Sequence, residues 1–213
     1  MHRLIATLLA SWLFVSGVSA ETYTADVWAD NWFAFHVNGT EVAHDSVPIT
    51  TERSFNAESF AFQAQRPFTI GLIARDFKEN DTGLEYIGSR RQQMGDGGVI
   101  LQVRDTGGRT IAVSNEDWRC LITHEAPLNK SCARERNPVA GQGPCGFTAT
   151  AEPHGWSAPG FDVSHWQAAS VYSERDVRPK DGYDRIRWDR NARLIWGPDL
   201  ETNNTLLCRL TVR

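Results

Sequence analysis

Beyond residue 20, the sequence contains no apolar run long enough to cross a bilayer as a helix. It also contains no run of basic residues, and its formal net charge is −4. Nucleic acids and acidic membrane surfaces are therefore excluded as expected partners, because both are recognised through concentrated positive charge. We also expect the chain beyond residue 20 to have no membrane anchor.

The N-terminal residues have the three-part layout of a secretory signal. A short segment containing Arg3 precedes an apolar stretch from Leu4 to Val15, and small residues precede a cleavage position after Ala20. We expect residues 1–20 to be a signal peptide and residues 21–213 to form one secreted or periplasmic domain. A length of roughly 200 residues suits a single all-β domain.

The four cysteines include no CxxC pair, which argues against thiol redox chemistry and against a zinc site. Two disulfides are the default arrangement in an exported chain, and three connectivities can be drawn. Cys120 and Cys208 each share a strand face with large apolar residues two positions away on both sides. The alternation favours joining these two residues across the interior, which leaves Cys132–Cys145 to close the polar excursion between them.

No segment has a sustained helical stripe, whereas a period of two residues recurs along the chain. The period is clearest from Trp32 to Val37, where Phe33 and Phe35 share one face. The turn Asn38-Gly39 accepts positive φ at both positions, so it predicts a tight hairpin into a strand from Thr40 to His44.

Other short segments are rich in β-branched and aromatic residues and are separated by turn residues. They predict strands over Ser54 to Gln63, Pro67 to Ala74, Gly98 to Arg104, Thr110 to Ser114, Trp118 to Thr123, Trp166 to Tyr172, Ala192 to Trp196 and Thr205 to Val212. The expected fold class is all-β, an antiparallel β-sandwich or jelly roll. Two long polar stretches, 76–97 and 122–161, are expected to be loops.

Five segments occur in an order that is typical of one family. They are Ala29 to Gly39 with its Val-Asn-Gly turn, Thr69 to Ala74, Gly97 to Arg119 with Asp117-Trp118, Gly160 to Ala169, and Ala192 to Trp196 followed by Leu207 to Val212. Together they resemble the galactose-binding-like jelly roll, the accessory β-sandwich of many glycosidases. The resemblance implies a non-catalytic binding or structural role and, in many members, a structural calcium. The cysteine-bearing insertion departs from the family pattern.

Eight tryptophans are the most conspicuous feature of the composition. Aromatic rings bind the C–H faces of sugars, so exposed tryptophans are candidate contacts for carbohydrate. Trp32 and Trp156 are the best exposed candidates. The others of interest are expected in the core, as their family counterparts are: Trp28, Trp118, Trp166 and Trp196.

The loop that begins at Asp76 is rich in oxygen ligands, which are the ligands of calcium. Asp76, Glu79 and Asp81 are the candidate calcium ligands, and the resemblance implies the same ion. A solvated acidic loop is the alternative, because the spacing does not match an EF-hand. The histidines form no HxH or HExxH pair, so a zinc or copper site is only a minor alternative.

No GxSxG motif is present, and acidic residues such as Asp30, Glu85, Asp96 and Asp184 cannot be paired by sequence alone. We therefore expect a non-catalytic module that binds carbohydrate. Two alternatives remain open, a structural scaffold that binds a protein partner and a small secreted hydrolase. The expected ligand-binding residues are Trp32, His36, Arg90, Arg91 and Trp156, where arginine supplies planar donors for sugar hydroxyls and carboxylates.

Overall fold

The computed structural model describes residues 19–213, and nearly all of the expected signal peptide lies outside the described residues. Within this range no helix is both long enough and apolar enough to cross a membrane. The described elements are β1 Glu21–Asp30, β2 Trp32–Val37, β3 Thr40–His44, β4 Phe55–Ala64, β5 Phe68–Arg75, β6 Leu84–Glu85, β7 Gln93–Met94, β8 Gly98–Asp105, β9 Thr110–Val113, β10 Arg119–Glu125, β11 Thr148–Ala149, β12 Gln167–Ala168, β13 Ser170–Tyr172, α1 Glu174–Val177, β14 Leu194–Trp196 and β15 Asn203–Val212.

Two antiparallel sheets form a sandwich around one main apolar core. Sheet I has the order β13-β14-β8-β1-β4, with β9 paired to β8. Sheet II has the order β11-β10-β15-β5-β2-β3, with β12 paired to β10. Strands β6 and β7 form a separate small hairpin. This architecture confirms the predicted all-β antiparallel sandwich.

The β2–β3 hairpin begins and ends where the sequence predicts. Asn38 and Gly39 form its turn, with φ values of 50° and 90°, so both residues use the left-handed region that this turn requires. Phe33 and Phe35 are fully buried in the core between the sheets. The turn pairs Val37 with Thr40, and an irregularity between Phe35 and His36 then shifts the register of the ladder.

Both predicted disulfides are present, Cys120–Cys208 and Cys132–Cys145. The first does not cross the interior as expected, because β10 and β15 are neighbours in sheet II and the two cysteines are directly opposed in their ladder. Both side chains still face the core, where each is 1% exposed. The second disulfide packs against Leu84 under the loop that it closes.

An interior strand of sheet I, β1, is the main element that was not predicted from the sequence. It lies between β4 and β8 and is paired along its length with both. Tyr23, Ala25, Val27 and Ala29 point into the main core, whereas Trp28 points to the outer face of the sheet. Burial of both faces weakens the apolar–polar alternation that identifies a strand at the surface.

The segment predicted as one strand from Trp166 to Tyr172 is divided between the two sheets. Gln167–Ala168 pairs with sheet II and Ser170–Tyr172 pairs with sheet I. Ala169, between them, is buried in the main core, and its N–H donates to the carbonyl of Trp118. The chain therefore crosses from one sheet to the other at this residue.

The chain covers the outer face of each sheet with a loop. On sheet I, Trp28 contacts Val177 and Ala192 in a second apolar cluster, and its Nε1 donates to the carbonyl of Asp181 at 3.1 Å. On sheet II, Trp156 and Trp166 cover a third cluster. One end of the sandwich, where β1 and β5 end and β8 begins, carries the polar groups described next.

Candidate functional site

Three carboxylates meet at this end of the sandwich. Asp30 is the last residue of β1, Asp76 directly follows β5, and Asp96 lies shortly before β8. Asp30 is opposite Gly98 in the β1–β8 ladder, which brings the start of β8 to the end of β1. One carboxylate oxygen from each aspartate lies within 4.8 Å of the other two. We call this set the aspartate cluster.

Asn31 fixes the end of β1 to the end of β5. Its N–H donates to the carbonyl of Arg75 at 2.8 Å, and its Oδ1 accepts from the N–H of Phe77 at 2.6 Å. Its Nδ2 donates to the carbonyl of Glu52 at 3.0 Å. The aspartates next to these residues are therefore held side by side across the two sheets.

Asp76 is packed closely against the backbone around it. Its N–H donates to the carbonyl of Asn204 at 2.9 Å. A Cβ on Gly95 would lie 1.7 Å from Asp76 Oδ2, so the backbone approaches the carboxylate as only glycine allows. This close approach leaves the Asp76 side chain little freedom to turn away from the cluster.

Two carboxylates of the cluster are buried without hydrogen bonds that would stabilise their negative charge. Asp30 is 0% exposed and Asp76 is 3% exposed, and none of their four carboxylate oxygens has a hydrogen-bond partner. Burial is the main cause that raises the pKa of both carboxyl groups well above the ordinary value, and the neighbouring carboxylates raise it further. The ionised forms are therefore costly unless a cation compensates them.

Lys180 supplies one positive charge beside the cluster. Its Nζ lies 3.6 Å from Asp30 Oδ2 and 3.1 Å from Asp96 Oδ2. Burial lowers the pKa of Lys180, but the carboxylates of Asp30 and Asp96 outweigh burial and raise it overall. Asp76 has no ion-pair partner among the described residues, so one ammonium group does not balance the three carboxylates.

Glu85 lies next to the cluster on β6. It is 2% exposed, and burial raises the pKa of its carboxyl group to about 7. Gln93 Nε2 donates to Glu85 Oε2 at 2.9 Å, which links the two short strands of the β6–β7 hairpin.

Two cavities open beside the cluster and share Gln93 in their walls. The smaller is about 360 Å³ and is lined by Glu52, Tyr86 and Lys180, among others. The larger is about 1010 Å³, and its basic wall consists of three arginines, Arg134, Arg175 and Arg178. We call this larger cavity the arginine cleft. Gly95 and Asp96 also line it, so it connects the aspartate cluster with solvent.

The cluster has the donor set of a hard cation. Its candidate ligands are all carboxylate oxygens, and no histidine or cysteine belongs to the group. Oxygen ligands of this kind suit calcium rather than zinc or copper. The four carboxylate oxygens without hydrogen bonds also fit a cation, because a metal ion would satisfy them.

The structure separates the three residues that were expected to bind calcium. Asp76 belongs to the aspartate cluster, whereas Glu79 accepts from the N–H of Ile87 at 2.8 Å. Asp81 lies 2.7 Å from Lys78 Nζ. Sequence proximity within one loop did not bring the three together, because the loop turns between them and places Asp76 in the interior.

The expected exposure of Trp156 is wrong. Trp156 is 5% exposed and packs with Trp166 on sheet II. The expected burial of four other tryptophans is confirmed: Trp28, Trp118, Trp166 and Trp196 are each at most 3% exposed. Sheet II leaves an apolar outer surface at Ala34 and Ile73, and the Trp156 loop covers it.

Trp32 and His36 lie near Trp156 on the outer face of β2. The guanidinium carbon of Arg75 lies 5.0 Å from the centre of the Trp32 ring, and His44 stacks against that ring with centroids 6.3 Å apart. The His36 ring contacts Trp156 edge-on at 5.4 Å, and burial lowers the pKa of His36. These rings therefore already contact other side chains of the protein.

Arg90 and Arg91 lie in the loop between β6 and β7 and not on β2, which carries Trp32 and His36. Both are exposed, and the Arg91 guanidinium carbon lies 4.5 Å from the centre of the Tyr86 ring. The five expected ligand-binding residues are therefore divided between two surfaces. Tyr86, which Arg91 contacts, lines the smaller cavity, but neither arginine is one of its wall residues.

Sequence reasoning did not identify the aspartate cluster as a unit. A usable signal was present for Asp30 and Asp76, because each lies at the boundary of an apolar strand, where side chains from different strands meet. Lys180 carried no such signal, since it follows a helix of only four residues in an irregular segment.

No family model matches the chain, and no curated protein is significantly similar to it in sequence. Among solved structures, the chain is similar to a lectin from Pleurotus ostreatus in complex with GalNAc, with a TM-score of 0.43 and 10% sequence identity. The similarity covers 93% of this chain and 65% of that lectin chain. A similarity of this size carries no functional argument, and the all-β fold rests on the sheets themselves.

Proposed function

We propose that the chain is a binding module for an acidic carbohydrate, built on a galactose-binding-like sandwich, and that the arginine cleft is its contact surface. The observation that carries the proposal is that three arginines of the cleft are exposed to solvent and have no ion-pair partner among the described residues. They are Arg134, Arg175 and Arg178.

The acidic groups of the cleft are already engaged within the protein. Asp96 pairs with Lys180 at 3.1 Å, and Glu201 pairs with Lys130 at 2.7 Å. Asp176 caps α1 by accepting from the hydroxyl and the N–H of Ser173. The three guanidinium groups are therefore the cations of the cleft without an ion-pair partner among residues 19–213, whereas the donors to Asp176 are neutral and leave its charge in place.

A guanidinium group binds a carboxylate or a sulfate through two parallel hydrogen bonds. Three such groups around one cavity suit a ligand that carries several anionic groups, such as a uronate-containing or sulfated polysaccharide. The cleft volume of about 1010 Å³ accommodates a short oligosaccharide rather than a single sugar. Gln93 in the adjoining cavity is a neutral side chain whose Oε1 can accept from a hydroxyl group, while its Nε2 is bonded to Glu85.

Trp32 and His36 remain predictions as ligand contacts, but the cleft is the better candidate because their rings are covered by side chains of the protein. The two disulfides also fit an oxidising compartment outside the cytoplasm, where such polysaccharides occur.

The test is a comparison of acidic and neutral polysaccharides by affinity electrophoresis and isothermal titration calorimetry. Polygalacturonate, alginate and a sulfated glycan are the acidic probes, and galactan and xylan are the neutral ones. We expect binding to the acidic probes that weakens as salt increases, because surface charge interactions are screened. The triple variant R134Q/R175Q/R178Q should bind about tenfold more weakly or worse.

A second triple variant, R119Q/R185Q/R190Q, is the matched control. It removes the same charge from exposed arginines outside the cleft, and it should bind as the wild type does. Equal loss in both triple variants would show that only overall charge matters. Binding of neutral probes that both variants retain, or no binding at all, would contradict the proposal and favour the protein-scaffold alternative.

A further inference from the structure

We propose that Asp30, Asp76 and Asp96 bind one divalent cation of the calcium type at the end of the sandwich. Two independent observations carry the proposal. The three carboxylates are within 4.8 Å of one another, and two of them are buried with all four oxygens lacking a hydrogen bond. The inference does not rest on the proposed carbohydrate cleft.

The burial of these groups requires a compensating charge or a change of protonation. A buried carboxylate without partners is strongly unfavourable, and proteins either neutralise it or pair it. Lys180 reaches Asp30 only at 3.6 Å and reaches Asp96 at 3.1 Å, and no ion pair links it to Asp76. A divalent cation would compensate the negative charge that Lys180 does not neutralise. It would also bind the carboxylate oxygens that accept no hydrogen bond.

The same strand contains a buried aspartate that needs no ion. Asp26 is 2% exposed, and its oxygens accept from Ser59 Oγ at 2.6 Å, from Gln102 Nε2 at 2.8 Å and from Arg104. The protein therefore stabilises this buried carboxylate with hydrogen bonds from its own side chains. Asp30 and Asp76 accept no hydrogen bond from the described residues, and of the two Lys180 reaches only Asp30, at 3.6 Å, which points to a ligand that is not a side chain.

The chemistry of the site selects the class of cation. Calcium takes six to eight oxygen ligands in flexible geometry, and carboxylates with backbone carbonyls and waters complete its shell. Zinc prefers histidine and cysteine, neither of which belongs to the cluster. Asp96 is partly exposed and lines the arginine cleft, so an ion and its waters have a route from solvent.

The position of the site gives the ion a structural effect. It would join the last residue of β1, the residue after β5 and the approach to β8, and thus both sheets of the sandwich. A ligand that binds only the folded state stabilises it in proportion to its occupancy. Calcium should therefore raise the melting temperature of the purified, disulfide-intact protein.

The experiment measures that melting temperature by calorimetry in EDTA and in 1 mM Ca²⁺, Mg²⁺ or Zn²⁺. We expect Ca²⁺ to raise it by about 5 °C or more at saturation, with a smaller shift for Mg²⁺. Asp30→Asn and Asp76→Asn should lose the Ca²⁺ shift. In EDTA each should melt at or above the wild-type temperature, because each removes a buried carboxylate that no hydrogen bond stabilises.

Asp26→Asn is the matched control, since Asp26 is equally buried on the same strand. It should melt at a lower temperature in EDTA and still retain the full Ca²⁺ shift. If Asp76→Asn does not fold, Asp96→Asn at the partly exposed position gives the same readout. No Ca²⁺ shift in the wild type would overturn the proposal, as would a shift that both Asp30→Asn and Asp96→Asn retain.

Discussion

Asp26 and Asp30 are four residues apart on β1, and both are almost inaccessible to solvent. Asp26 is surrounded by a hydroxyl, an amide and a guanidinium group that all donate to it. Asp30 receives no hydrogen bond. The difference shows that burial of an acidic group is not by itself a sign of a site. What distinguishes Asp30 is the lack of donors together with two other carboxylates nearby.

The largest expected effect comes from replacing Asp26, the aspartate of this pair that accepts hydrogen bonds. Asp26→Asn places an amide group among the donors Gln102 and Arg104, so a donor faces a donor inside the protein. We expect a loss of about 3 kcal/mol in the free energy of unfolding. Denaturant titration at constant ionic strength measures it, and a loss below about 1 kcal/mol would show that the network contributes little.

A smaller effect is expected from displacing the cluster without changing its charge. Gly95→Ala would force a methyl group against Asp76 Oδ2, at a position where the Cβ has only 1.7 Å. We expect about 2 kcal/mol of destabilisation and a loss of the Ca²⁺ shift. The control is Gly146→Ala, whose Cβ would make an ordinary contact of 3.6 Å with Leu128 and should change neither quantity.

Asp45 is intermediate between Asp26 and Asp30 in the number of hydrogen bonds that its carboxylate accepts. It is 2% exposed, and its Oδ1 accepts from the N–H of Val47 at 2.8 Å, while its Oδ2 has no partner. Burial raises the pKa of Asp45 from 3.8 to about 6. Between these pH values the folded state binds more protons than the unfolded state, so stability falls as pH rises.

Asp45→Asn should remove this dependence. Relative to the variant, the wild type should lose about 2 kcal/mol of unfolding free energy between pH 4 and pH 6 and no more above pH 7. Parallel denaturant titrations of the two proteins across this range provide the measurement. Parallel stability curves for the two proteins would show that Asp45 titrates normally.

The smallest effect is expected at Lys180, whose side chain is 41% exposed. Its ammonium group competes with a cation for Asp30 and Asp96. Lys180→Met should therefore tighten Ca²⁺ binding by about threefold to tenfold, within the range of a screened charge interaction. Calorimetric titration gives the Kd. Weaker Ca²⁺ binding in the variant would show that Lys180 supports the site rather than competing for it.

Much of the fold could be predicted from the sequence where one local rule decides the outcome. The Asn38-Gly39 turn sets the position of the hairpin, and alternation around Cys120 and Cys208 places both in the core. Strand β1 was omitted because both of its faces are buried. The exposure of Trp156 was mispredicted because its burial depends on a loop that folds over a distant sheet.

The aspartate cluster could not be predicted because it is assembled from three separated segments. Asp76 was recognised as a candidate metal ligand, but its expected partners were its sequence neighbours Glu79 and Asp81. Its partners in the structure, Asp30 and Asp96, are set by the β1–β8 pairing and by the contact between the sheets. Pairings at such sequence distance carry no local pattern.

The most direct test of the cation site is a crystal structure of the protein grown with Ca²⁺, with anomalous diffraction measured at a long wavelength. The account predicts one anomalous peak among Asp30, Asp76 and Asp96, with carboxylate oxygens roughly 2.3 to 2.6 Å from it. An empty position, with the carboxyl groups hydrogen-bonded to one another through shared protons, would contradict the account.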